Sequence, residues 1–339
     1  MDYYILPSAT DGPRQLSLKS GPDPTPGVGE VLVHIEACSL NYRDLLVQSG
    51  KSGSGGDEPV VPLSDGAGII AAVGDGVEAW KIGDRVALTF FRDWEEGRFE
   101  MRYHKAARGG SCDGVLSQLV VAPAHSLVAV PGHLTTTEAA ALPCAAVTAW
   151  HSLMERSRPL EKGHTVLCLG TGGVSIFALQ IAKAAGARVI VTSSSDDKLA
   201  TARELGADDT INYRSTPEWD RTVYGLTGKL GVDHVIEVGG PGTIEKSMNS
   251  VAAGGSIALI GVLTGFAPPQ TSLFPLVTRN VDLSGIYVGN RSMFERMNSF
   301  LEKHHIHPVI DRTFSFDAAP EAYTFLEQGS HLGKVLVKV

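Results

Sequence analysis

The stretch VLCLGTGGVSIFALQ constrains this chain more than any other. An apolar run ends at Leu169. Gly170, Gly172 and Gly173 then crowd one turn, and an amphipathic segment follows until Gly186 stops it. Glycine permits a tight turn and lets the backbone approach a pyrophosphate, while the free N–H groups at a helix N-terminus meet the anion. Ser175 stands where the usual fingerprint has a third glycine, and its small side chain still allows close helix–strand packing. A glycine loop alone is a weak signal, so its surroundings decide. Here HTVLCLG reads as a buried strand, GGVSIFALQIAKAAG as a helix and RVIVTS as the next strand, a complete βαβ unit. The alternation continues through helix SDDKLATARELGA, strand DTINY, helix WDRTVYGLTG, strand VDHVIEVGG, helix GTIEKSMNSVAAGG and strands SIALIGV and VDLSGIYVG. Units of that length predict a doubly wound parallel sheet that holds a dinucleotide at Gly170, Gly172, Gly173 and Val174.

The rest of the chain has another rhythm. With 339 residues, two domains are the natural division. GEVLVHIEACSL, DGAGIIAAVG, GDRVAL and LSQLVVAP are short apolar runs broken by Gly, Pro and Asp, the pattern of a compact antiparallel barrel. The polar insert from Phe90 to Gly114 is long for a connection and reads equally as a functional rim or a solvated excursion. From about Thr137 the composition turns helical, in TEAAALPCAAVTAWHSLMER. The tail, with helix RSMFERMNSFLEKHHI and strands IDRTFSF and KVLVKV, is expected to complete the first domain. The expected division is therefore 1–136 with 289–339, and 137–288.

Composition narrows the partners. The net charge is −8 without a dense Lys/Arg tract, which argues against nucleic acid or an anionic membrane. No window of about 18 apolar residues predicts a membrane span. The start lacks the basic and apolar regions of a signal peptide, so a cytoplasmic protein is expected. Cys38, Cys112, Cys144 and Cys168 are widely spaced with no C-x-x-C pair, which argues against a four-cysteine zinc site and for reduced thiols.

The residues after strand RVIVT decide which dinucleotide fits. An Asp or Glu there would hold the ribose hydroxyls and repel a 2′-phosphate. The strand ends instead in Ser193, Ser194 and Ser195, with Lys198 close behind and Tyr213 in INYR able to close over the site. Hydroxyls beside a cation suit a phosphate. The expected cofactor is NADPH. NADH is the alternative, because Asp196 and Asp197 follow as the cap and first turn of the next helix.

Taken together, GEVLVHIEACSLNYRDLLVQSG, PLSDGAGIIAAVGDGVEAWKIGDRV, DGVLSQLVV, AALPCAAVTAW, the long glycine-loop segment and GKVLVKV resemble the medium-chain dehydrogenase/reductase superfamily. Within it the chain is similar to the zinc-free, quinone-oxidoreductase-like branch often labelled alcohol dehydrogenase. The resemblance implies a discontinuous GroES-like β-barrel domain joined to an α/β Rossmann domain. It implies an active cleft between them and a homodimer through the Rossmann sheet edge. It also implies NAD(P)H-dependent hydride transfer to an activated C=C or C=O of a small molecule (quinone, enone or aldehyde), or the reverse alcohol oxidation. Zinc members place a ligating Cys where this chain has Asn41, and a His–Glu pair where it has Ser64 and Asp65; only Cys144 is retained. One thiol does not complete a site that needs three or four protein ligands, and with His151 joined to Cys144 a further partner is still missing nearby in sequence, so no zinc is expected. The alternatives are a zinc-dependent alcohol dehydrogenase and an NADPH-binding sensor or structural protein without turnover.

Without a metal, polarising a substrate oxygen falls to hydrogen-bond donors. NYRDLL resembles the family's stretch beside the nicotinamide, where Asn41 donates through its amide and Tyr42 through its phenol. Tyr42 is the candidate proton donor or a ring packed on the cofactor. Asp65 is a candidate for proton transfer or for holding its turn. Arg43 and Asp44 either pair to fix the loop or form a surface ion pair. By the same resemblance Thr148 backs the nicotinamide ring, and Gly239, Gly261, Val262, Leu263, Ile286 and Tyr287 lie at strand ends near the cofactor. Lys334 reaches either a cofactor phosphate or the surface. The histidines of KHHIHP read as a solvated helix end, with metal binding the lesser alternative.

Overall fold

In the computed structural model, which describes residues 1–8, 14–51 and 58–339, the chain leaves one unit and later returns to it. The first unit comprises Met1–Val147 and Gly289–Val339, the second Thr148–Val288.

The first unit opens with the hairpin β1 (Asp2–Ile5) and β2 (Ser17–Ser20). Then come β3 (Glu30–Leu40), α1 (Tyr42–Gln48), β4 (Asp65–Val73), β5 (Arg85–Leu88), β6 (Leu119–Pro123) and β7 (Leu127–Ala129). Val31, Val33 and Ile35 on β3 are fully buried while the residues between them face outward, the period-two pattern of a strand with one side on a core. The insert after β5 is no solvated excursion. Phe90 and Phe91 (ring centroids 4.7 Å apart), Trp94 and Phe99 (5.0 Å), and Trp94 and Tyr103 (5.8 Å) pack as an aromatic cluster.

The stretch that turns helical in composition from about Thr137 comprises three segments, of which the last two are continuous. These are α2 (Thr136–Ala139), a single π-helical turn at Leu142–Ala146, and α3 (Val147–Met154). Pro143 explains the break, since it lacks an N–H and its ring crowds the preceding turn. Thr135 and Glu138 cap α2 reciprocally: Glu138 N donates to Thr135 Oγ1 (3.2 Å) and Thr135 N to Glu138 Oε2 (2.8 Å). α2 and the π turn pack on β4 and β5. The unit boundary accordingly falls at Val147/Thr148 rather than at 136/137.

The second unit runs β8 (Thr165–Leu169), α4 (Gly173–Ala184), β9 (Arg188–Ser193), α5 (Asp196–Glu204) and β10 (Asp209–Asn212). It continues with α6 (Trp219–Leu226), β11 (Val232–Glu237), α7 (Ile244–Ser250), β12 (Val251–Leu259), α8 (Phe274–Arg279) and β13 (Asp282–Gly285). All pairings in its sheet are parallel and the order is β10-β9-β8-β11-β12-β13. The order reverses between β8 and β11, which is where such sheets open a ligand crevice at their carboxyl ends. α7 is shorter than the helix expected over GTIEKSMNSVAAGG. Val251 already pairs with Val232, so VAAGG starts β12, and Gly254 (φ +76°) lies in its irregular first half.

The tail rejoins the first unit with α9 (Arg291–His304), β14 (Ile310–Ser315), α10 (Ala319–Glu327) and β15 (Lys334–Lys338). Its sheet has the order β14-β15-β3-β4-β5-β7, with β6 also on β3. Carbonyls of the aromatic insert receive the first N–H groups of α9, Arg291 N to Trp94 O (3.1 Å) and Ser292 N to Glu95 O (2.9 Å). Val335 and Val337 enter the same core as β3, and Ala319, Ala322 and Tyr323 cover it.

Candidate active site

In the second unit the glycine loop builds an anion cradle. Gly170 has φ +75°, a conformation that side chains disfavour, and a Cβ at Gly170 or Gly172 would meet nothing within 4 Å. The N-cap of α4 is Gly172, so no side chain closes the helix start and its first N–H groups are left for a ligand. Gly173 and Val174 are half-buried there. Ser175 turns inward and its Oγ donates to Leu169 O (2.6 Å), filling the third-glycine position without widening the contact. These features fit a dinucleotide pyrophosphate.

At the end of β9 no carboxylate occupies the strand terminus. Ser193 is buried, its Oγ accepting from Ser195 N (3.4 Å) and lying 3.5 Å from Thr171 Oγ1. Ser195 is the N-cap of α5 and accepts from Lys198 N. Ser193 and Ser195 therefore shape the turn. Ser194 and Lys198 are half-buried and Tyr213 is exposed, so these three present the more open side chains. Asp196 lies in the first turn of α5, where Asn212 Nδ2 donates to its Oδ1 (2.8 Å).

Sequence reasoning missed Glu237, which closes β11 fully buried. Its carboxylate accepts from Gly239 N (2.8 Å), Gly240 N (2.9 Å), Thr243 Oγ1 (2.6 Å) and Ser247 Oγ. It thereby sets the loop that carries Gly239. The signal was a glutamate ending an apolar strand one residue before a Gly-Gly pair. Gly261 packs against the same loop so closely that a Cβ would lie 1.7 Å from Val238 O. Val262 is half-buried and Leu263 exposed beside it. After β13, Ile286 is buried and donates its N–H to Leu259 O (2.9 Å), while Tyr287 is on the surface. Thr148 is buried, and its carbonyl accepts from Ser152 Oγ (2.7 Å). His151 Nδ1 lies 2.7 Å from Val288 O.

In the first unit the structure gathers a buried polar corner from distant segments. Asp65, at the head of β4, is fully buried. It accepts from Ser64 Oγ (2.7 Å), Ser39 Oγ (3.3 Å) and Cys144 N (3.2 Å). Lys334, at the head of β15, brings its ammonium to 3.5 Å from Asp65 Oδ2, 2.8 Å from Leu40 O and 2.6 Å from Asn41 Oδ1. Lys334 is 2% exposed, so the surface reading of this residue is corrected: its charge is held inside. A Lys opening an apolar strand after Gly333 was the available signal, but its partners are hundreds of residues away.

Asn41 is the N-cap of α1, and its backbone N–H donates to Asp44 Oδ2 (2.7 Å). Asp44 is buried, and desolvation pushes its carboxyl up to about 6 although Arg43 and the Asn41 N–H act the other way. The Arg43–Asp44 contact (3.5 Å) is therefore not a surface pair. Arg43 also donates to Arg108 O (2.8 Å) and lies 4.8 Å from the Phe90 ring centre. Tyr42 is 40% exposed. Burial raises the Cys144 thiol well above the ordinary range, the reverse of what a nucleophile or thiolate ligand needs. In KHHIHP, His307 Nδ1 lies 2.7 Å from Glu138 Oε1, an ordinary pair.

Residues 27–132 match the family model described as alcohol dehydrogenase GroES-like domain, and residues 173–303 match the one described as zinc-binding dehydrogenase. The chain is 46% identical over 315 residues to a zinc-type alcohol dehydrogenase-like protein of Schizosaccharomyces pombe, covering 92% of this chain and 91% of that protein. It is 33% identical over 313 residues to the 2-methylene-furan-3-one reductase of Solanum lycopersicum, covering 91% of this chain and 71% of that protein. A solved NAD-dependent alcohol dehydrogenase superposes over the full length of both chains with a TM-score of 0.89 at 32% identity.

Proposed function

This chain belongs to the medium-chain dehydrogenase/reductase superfamily, and from that premise we propose an NAD(P)H-dependent oxidoreductase that works without zinc. It reduces an activated C=C or C=O in a quinone, enone or aldehyde, or runs the reverse oxidation of an alcohol. The observation that carries this reading is the uncapped start of α4 over Gly170 and Gly172, at the switch point of a wholly parallel sheet.

The nicotinamide, when bound, supplies or accepts the hydride, and the protein contributes position and charge. The N–H groups at the start of α4 hold the pyrophosphate. Ser194, Lys198 and Tyr213 receive the 2′-phosphate of NADPH, with Ser193 and Ser195 shaping their turn. Thr148 backs the nicotinamide ring, and the loops carrying Gly239, Gly261, Val262, Leu263, Ile286 and Tyr287 line the crevice. Tyr42 delivers the proton to the substrate, and Asp65 holds its turn rather than moving a proton.

What supports the zinc-free reading is the donor set. Asn41, Ser64 and Asp65 stand where zinc members carry ligands, and the Lys334 ammonium already places a positive charge against two of them. Among the described residues no group of three or more His, Cys, Asp or Glu is placed to hold a metal ion. All these positions lie outside 173–303, the match described as zinc-binding. The residues do not fit the metal.

The test is NADPH absorbance followed with benzoquinone, cyclohexenone and benzaldehyde, with NADH in parallel and metal analysis of the pure protein. Turnover that prefers NADPH and survives chelation is expected. Stoichiometric zinc whose removal abolishes activity would make the protein a zinc alcohol dehydrogenase. Cofactor binding without turnover on any of the three would make it a sensor.

A further inference from the structure

Lys334 and Asn41 form a unit whose geometry leaves one donor without a partner. An ammonium has only donors, so the oxygen of the Asn41 carboxamide must face Lys334, at 2.6 Å, and the amide cannot be flipped. Its Nδ2 then points the other way. That atom is buried and has no hydrogen-bond partner among the described residues. A buried donor left unpaired is destabilising, and such groups call for a functional account. Asp65 beside it is the contrast, being engaged by Ser39, Ser64, Cys144 and Lys334.

We propose that Asn41 Nδ2 donates to the substrate oxygen that gains negative charge during hydride transfer, and that Lys334 is the positioning residue that fixes and polarises this amide. Lys334 draws electron density toward Oδ1, which strengthens Nδ2–H as a donor. A preorganised donor of this kind stabilises developing charge on an oxygen without reorganising at the moment of reaction. The arrangement suits substrates whose reacting carbon is conjugated to, or part of, a carbonyl. The inference rests on the oxidoreductase reading, and wild-type turnover tests that reading separately.

The experiment is a double-mutant cycle with Asn41→Ala and Lys334→Met, using NADPH with cyclohexenone and benzaldehyde. Asn41→Ala is expected to lower kcat by roughly 100-fold, as loss of one such donor does, with NADPH affinity unchanged. Lys334→Met is expected to lower kcat by roughly tenfold alone and to add nothing in the Asn41→Ala background, since contacting residues that act through one another are non-additive. Lys334→Arg, which keeps the cation, should recover part of the loss; it also carries the cycle if the Met variant does not fold. Unchanged kcat in Asn41→Ala would overturn the proposal. So would an equal loss from Lys334→Met with and without Asn41, which marks a structural role. Wild-type protein inert toward both substrates would overturn the oxidoreductase reading and this inference with it.

Discussion

Single side chains decide the cofactor, and Ser194 is the informative one. Ser193 and Ser195 are committed to the turn that starts α5, so a charge at either would disturb the backbone first. Ser194 is half-buried and neither shapes nor caps that turn. A carboxylate there would repel a 2′-phosphate and accept from ribose hydroxyls. Ser194→Asp should therefore weaken NADPH far more than NADH, read as separate Kd values by fluorescence titration. Equal weakening of both would remove the phosphate from this corner. The same scale shows what was readable beforehand. The glycine loop announced itself because its chemistry is local, three residues, Gly170 to Gly172, between a strand and a helix. The Lys334 corner did not. Its members come from β3, β4, the π turn and β15, and only tertiary contacts bring them together, Leu40 paired with Val335, Ser39 with Asp65, and Cys144 N on the Asp65 carboxylate.

Elements were legible where periodicity ran uninterrupted and misread where a local signal competed with pairing. Pro143 interrupted one helical-looking stretch, and cross-strand pairing of Val251 drew VAAGG out of a helix into β12. The insert after β5 was ambiguous because its charged residues masked an aromatic cluster that only contacts reveal. One pairing has a measurable consequence. His234 on β11 lies 3.0 Å from His164 Nδ1, which also accepts from Glu161 N (3.2 Å), so the shared proton sits on His234 Nε2. His234 Nδ1 then accepts from Ser256 Oγ (2.8 Å). Burial first, and then the neighbouring His164, push this imidazole down to about 4. The unfolded chain thus takes up a proton below about pH 6.5 that the native protein refuses until about pH 4, and stability is lost as pH falls through that window. The full displacement is worth about 3 kcal/mol. Asp44, raised to about 6, acts with the opposite sign, losing stability as pH rises from its unfolded value through 6. Urea unfolding of wild type and His234→Phe across this range isolates the histidine: the variant should lose less stability on acidification. Parallel curves would show that His234 is protonated in the native state.

At the scale of the whole molecule, the second unit's sheet ends in two edge strands, β10 and β13. β13 pairs with β12 alone among the described residues, and α8 beside it exposes Leu273, Phe274 and Val277. An unpaired strand edge next to exposed apolar side chains is a liability that proteins usually cover. A homodimer through this edge, which the sequence resemblance implies, would cover it with a second copy of the same edge, since a two-fold axis sets one patch against itself. No helix among the described residues is long and apolar enough to place that patch in a membrane as a spanning segment. Val277 is 72% exposed, so replacing it by Asp removes apolar contact area at little cost to the isolated chain and sets two carboxylates near each other across the axis. Val277→Asp should shift the light-scattering mass from dimer to monomer while NADPH binding is kept, because the cradle at α4 lies at the sheet's switch point rather than its edge. A mass that stays dimeric would place the interface elsewhere, and a wild-type monomer would leave this edge to be explained by its own short length.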